Sequence, residues 1–240
     1  MKAQLVSEVR KLVSTRTVYW FLLGAAGLSI ASVFSISGQD ASEMAKPFQE
    51  QQFLFLSTFV KLLIVVVGIR IVTDEYRYGT VMPTFTFSPR RHTVVASKAV
   101  VAAVTGVVIA IAAEAVLLGT AAAVFSMNNV DLVIGSAGTR ALLGGVVAGG
   151  LWAVIGVGVG AIVRNQVAAI VGTFVWLMAL EEMLRTRLGD LGNYLPGQGG
   201  FALSLGFSTR ISLMGAATML VYAALGLAAG ALVTKRTDMR

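Results

Sequence analysis

Apolar residues in this 240-residue chain seldom alternate with polar ones; they come in long runs separated by short polar stretches. Six runs are long enough to cross a bilayer as helices, for which about 20 residues are needed. They cover residues 18–36, 53–72, 94–127, 141–163, 167–184 and 213–233. The pattern predicts an all-α, polytopic integral membrane protein with six transmembrane helices. No Pro/Ser-rich linker divides the runs, so residues 1–240 read as a single transmembrane domain.

Residues 1–16 are patterned differently. Leu5, Val6, Val9, Leu12 and Val13 fall on one helical face, with Ser7, Glu8, Arg10, Lys11 and Ser14 elsewhere, as in an amphipathic helix lying in the membrane interface. The apolar run that follows is longer than a signal-peptide core and has no A-x-A-like site after it, so the N-terminus is expected to be retained.

The third run is too long for one straight crossing. Its 34 residues would extend ~51 Å as a helix, against a hydrocarbon core of ~30 Å. It must protrude, tilt or break, with Gly106 and Gly119 as break points. Residues 185–212 form a long outer segment with Pro196, Gly197, Gly199 and Gly200, and its apolar patch 201–207 could make a short re-entrant or interfacial helix.

Composition narrows the class. With 56% hydrophobic and 13% charged residues, a soluble domain is excluded. The net charge of +7 comes from basic residues flanking the runs, where they set orientation and do not point to nucleic acid. Thirteen Lys and Arg fall in the segments assigned inside and five in those assigned outside, which places both termini in the cytoplasm of a multi-pass plasma (cell) membrane protein. With no cysteine and a single histidine, His92, a metal site is not expected.

Four groups of residues could carry function. Gly145, Gly149, Ala153, Gly156 and Gly160 give the fourth run a stripe of small residues that lets another backbone approach closely, either inside the subunit or across a dimer face. The Gly156-x-Gly158-x-Gly160 run lacks the preceding strand a nucleotide loop needs. Lys61 lies about 12 Å of helix from the outer end of the second run, where a charge is costly unless it snorkels, pairs or faces water. Glu114 in the third run is its expected partner, and the two together could line a translocation pathway. Glu181 and Glu182, near Arg185 and Arg187, read as a solvated helix end, because no nucleophile or metal ligand accompanies them.

The fourth group is the polar stretch 73–98. Asp74 and Glu75 follow the second run directly, Gly79 can end a helical turn, and Pro83 and Pro89 precede the basic cluster Arg90-Arg91. The run Glu75-Tyr76-Arg77-Tyr78-Gly79-Thr80, then Ser88-Pro89-Arg90-Arg91 and Lys98, resembles the permease subunits of ABC-2 type exporters. The amphipathic start is similar to their N-terminal elbow helix. What the resemblance implies is a cytoplasmic coupling helix over about residues 75–87, between spans 2 and 3. Glu75, Gly79, Thr80, Pro89, Arg91 and Lys98 would then couple the chain to an ATPase subunit. Val81-Met82-Pro83 departs from the family pattern, and Pro83 interrupts a long coupling helix.

The resemblance further implies a permease dimer, homomeric or heteromeric, with two copies of a nucleotide-binding ATPase subunit. ATP and Mg would sit on that partner, since this chain has no Gly-x-x-x-x-Gly-Lys-Ser/Thr loop and is not expected to be an enzyme. The expected function is export of a hydrophobic or amphipathic substrate such as a drug, lipid or peptide. The alternative is a stand-alone ion-coupled secondary transporter using Lys61 and Glu114, although no repeat relates residues 1–120 to 121–240. A membrane anchor or sensor would not require the ordered inner hinge.

Overall fold

The computed structural model describes residues 2–34, 51–79, 91–205 and 208–236. All of their regular structure is helical. The helices are α1 (Lys2–Ser14), α2 (Thr17–Phe34), α3 (Gln51–Arg77), α4 (Arg91–Met127) and α5 (Ser136–Val163). After them come α6 (Gln166–Val175), a π-helical turn (Trp176–Leu180), α7 (Glu181–Leu188), a 3-10 turn (Gly189–Tyr194), α8 (Pro196–Leu205) and α9 (Thr209–Arg236). Helices satisfy their backbone groups within one segment, which a hydrocarbon solvent requires. Among the described residues, five segments are long and apolar enough to cross a membrane: Thr17–Phe34, Val94–Met127, Ser136–Val163, Gln166–Tyr194 and Thr209–Val233.

The bundle is built around α5, which packs against α3, α4, α8 and α9. Its small residues let the neighbours come close. A Cβ on Gly68 of α3 would strike the Ala153 carbonyl oxygen, and one on Gly156 would strike that of Val65. On the α4 side, a Cβ on Gly106 would strike the Gly149 carbonyl oxygen. On another side of α5, Gly158 meets Gly226 of α9.

One expectation is narrowed and two change. Of protrusion, tilt or break, the third run does not break: α4 is one continuous helix of 37 residues, with Gly106 serving as a packing contact and Gly119 facing open space. The fifth run is interrupted by the π turn and continues to Leu188. The Gly-rich outer segment is helical from Pro196 to Leu205, so its helix starts before the apolar patch, and residues 206–207 lie outside the described residues. Its glycines are the reason it fits, because Gly200 lies against the Trp152 ring and Gly199 against Gly215, Thr218 and Met219 of α9.

Candidate functional site

The C-terminal end of α3 is where several helices are tied together. Lys98, in the first turns of α4, is only 4% exposed. Its Nζ donates to Glu8 Oε2 at 2.9 Å and to the Ile71 carbonyl oxygen at 3.1 Å, and it pairs with Glu75 Oε1 at 2.8 Å. From the other side Lys11 Nζ donates to Glu8 Oε1 at 2.8 Å and to Glu75 Oε1 at 2.7 Å. Two carboxylates and two ammonium groups thus join α1, α3 and α4 in one alternating cluster.

The cluster sets the charge states at its accessible edge. Burial pushes the Glu8 carboxyl up, but Lys98 and Lys11 outweigh it and hold Glu8 below its ordinary value. Burial pushes Lys11 down, and its bonds to Glu75 and Glu8 more than reverse that, so its ammonium is held above its ordinary value. Both shifts favour the charged forms.

The next residues of α3 reach elsewhere. The Arg164 guanidinium lies 5.6 Å from the Tyr76 ring centroid, within cation–π range, and Arg77 Nη1 donates to Gln166 Oε1 at 3.1 Å. These contacts hold the α5–α6 turn, where Arg164 has φ 56° and Asn165 caps α6 by accepting from the Ala168 N–H. One turn earlier, Arg70 pairs with Asp74 at 3.1 Å. Gly79, at φ 67°, closes the helix in the left-handed conformation that glycine adopts without a Cβ penalty.

The sequence matches the family described as ABC-2 family transporter protein over residues 4–180. The chain belongs to that family. The match starts within α1 and ends at the π turn, so it includes every residue of the cluster and of the α5–α6 turn. No curated protein matches the chain.

Of the residues expected to couple this ABC-2 chain to an ATPase, Glu75 and Lys98 meet inside the cluster and Gly79 ends α3. Thr80 and Pro89, with Pro83 and most of 75–87, lie outside the described residues, as do the side chains of Arg91 and His92. Sequence reasoning missed Glu8, which it set off the apolar face of α1. In fact Glu8 turns inward with Leu5 and Leu12, while Val6, Val9 and Val13 are exposed. One signal was available: Glu8 is the sole acidic residue before Asp40.

The stripe Gly145, Gly149, Ala153, Gly156 and Gly160 packs within the chain. Gly145 lies against the Glu114 carboxylate, Gly149 and Ala153 against Gly106, Gly156 against Val65 and Gly68, and Gly160 against Ile69 and Thr73. Lys61 and Glu114 line one cavity of about 40 Å³ with Trp152 and Ser204. No ion pair joins them among the described residues.

Glu181 corrects another expectation. Glu182 does pair with Arg185 at the exposed helix end, but Glu181 is 2% exposed. Its Oε1 accepts from the Gln198 N–H at 2.8 Å, and its carboxylate sits against Gly197. It therefore caps the first turn of α8 from a different helix, where unpaired N–H groups and the helix dipole favour an anion. A π-helical turn, Trp176–Leu180, stands immediately before it.

Proposed function

We propose that this chain is the permease subunit of an ABC-2 exporter, with six spans, an elbow helix at α1 and both termini in the cytoplasm of the cell membrane. Two permeases, identical or not, would form the path for a hydrophobic or amphipathic substrate such as a drug, lipid or peptide. Two copies of a separate ATPase would carry ATP and Mg and drive the cycle.

The observation that supports this reading most is the four-charge cluster at the root of the 73–98 hinge. A push delivered to residues 75–91 by a motor subunit reaches α3 and α4 together through Glu75 and Lys98, and reaches α1 through Glu8 and Lys11. The contacts of Tyr76 and Arg77 carry it to the α5–α6 turn. Helices tied at one end move as a unit, and unit motion is what a two-state, alternating-access change requires.

The test is the intact mass of the complex after gentle purification from native membranes. Two copies of this chain with two of a nucleotide-binding chain is the expected result, and Arg91→Ala should uncouple ATP hydrolysis from transport. Repeated recovery of the chain alone in several mild detergents would overturn it. The rival, an ion-coupled carrier, rests on the cavity shared by Lys61 and Glu114. It predicts that Glu114→Gln abolishes proton- or sodium-driven uptake while Arg91→Ala has no effect.

A further inference from the structure

The corner between α1 and α2, where Arg16 takes φ 52°, leaves a groove of about 510 Å³ between these helices and the second half of α3. Its floor is apolar and includes Val18, Phe21 and Val67. Its rim is ionic: Glu8, Asp74 and Glu75 against Lys11 and Arg70. Val9, Val13, Tyr19 and Trp20 are exposed along the same corner, as in segments seated among lipid headgroups.

The rim has donors to spare. Lys11 spends two of its three N–H donors on Glu8 and Glu75, and its side chain is 45% exposed. Among the described residues Arg70 reaches Asp74 through Nε and Nη2, and both side chains are partly open to the groove. A phosphodiester would satisfy the remaining donors. Lys98, bonded to Glu8 and Glu75 from inside the bundle, balances the site at three carboxylates against three cations, so it offers no surplus positive charge to an anionic headgroup and suits one that carries its own ammonium.

We propose that this groove binds a membrane phospholipid with a primary-amine headgroup, of the phosphatidylethanolamine type. An acyl chain lies on Val18, Phe21 and Val67, the phosphate takes Lys11 and Arg70, and the ammonium takes Asp74. Glu8, Lys11 and Glu75 belong to both the rim and the charge cluster, so the seated lipid braces α1 against α3. The inference requires only that the chain spans a bilayer, and its failure would leave the transport reading untouched.

The experiment uses the full chain, with whatever subunits accompany it. The protein is reconstituted in nanodiscs of phosphatidylcholine with equal parts of phosphatidylethanolamine and phosphatidylglycerol, and the lipid retained after release is weighed by native mass spectrometry. Phosphatidylethanolamine should be retained about tenfold over phosphatidylglycerol, the discrimination of roughly one charge-assisted contact. Val18→Trp, which fills the groove, and Asp74→Asn, which removes the ammonium's partner and leaves the apolar packing alone, should each remove the preference. Val108→Trp, on an exposed face of α4, should keep it. Equal retention, a preference for phosphatidylglycerol, or a preference that survives both groove variants would overturn the proposal. So would the absence of retained lipid, the outcome if protein from this chain or a second copy fills the groove.

Discussion

Replacing Lys98 with methionine tests the charge cluster most directly. Methionine nearly matches the lysine stem in volume, so the loss is the ammonium. The Glu8 and Glu75 side chains, 9% and 11% exposed, would then face each other with Lys11 as their one remaining partner in the cluster. Removing one member of a buried ion pair costs about 3–5 kcal/mol. Lys11 stays bonded to both carboxylates, which argues for the lower end. At about 3 kcal/mol, the thermal midpoint of a chain this size should fall by roughly 6–12 °C. The chain has no cysteine but three tryptophans, so intrinsic fluorescence on heating is the natural readout. Glu8→Gln in the Lys98→Met background should recover more than about 1 kcal/mol, because it removes the repulsion and leaves Lys11 for Glu75. A single variant within about 2 °C of the parent, or strict additivity of the two changes, would refute the reasoning.

The same cluster should be insensitive to pH across the neutral range. Glu8 is held below its ordinary 4.5, so its contribution is complete above that value and is lost as pH falls through the lowered one. Lys11 is held above its ordinary 10.5, so its contribution is complete below that value and is lost as pH rises through the raised one. The difference in midpoint between the parent and Glu8→Gln should be constant between those limits, and a step in that difference near pH 6 to 7 would contradict it. Gly68→Ala should destabilise by about 1–3 kcal/mol through collision with the Ala153 backbone, whereas Gly119→Ala, facing open space, should stay within about 0.5 kcal/mol. Both are read from unfolding midpoints side by side. Glu181→Ala should cost about 1–2 kcal/mol through loss of the α8 cap and speed amide exchange over residues 196–205, while Glu181→Gln, which keeps an acceptor for the Gln198 N–H, should retain most protection.

Much of the architecture was legible because it is local. A run of about 20 apolar residues in lipid has to close its own backbone hydrogen bonds, so helices follow from the pattern without knowledge of neighbours. The stripe on α5 was legible for the same reason, since small residues three and four apart share a face whatever packs against them. From the polar order Asp74 to Lys98, Glu75 and Lys98 meet in the charge cluster, while its middle lies outside the described residues.

Only the tertiary structure decided which distant groups meet. Glu8 and Lys98 are 90 residues apart, and no helical period relates them; the fold brings together the two charges whose burial each makes tolerable for the other. The sequence placed Pro196 to Gly200 in a long outer segment without assigning it a helix, and packing made it helical, because its glycines fit against Trp152 and α9. Lys61 faces the same cavity as Glu114 without pairing with it, and Glu181, adjacent in sequence to Glu182, is buried against the start of α8 while Glu182 pairs with Arg185 at the exposed helix end. The sequence by itself determined the helices and where its charges fall along them. Which of those charges are buried against one another was decided by packing, because an ion pair depends on distance through space and not along the chain.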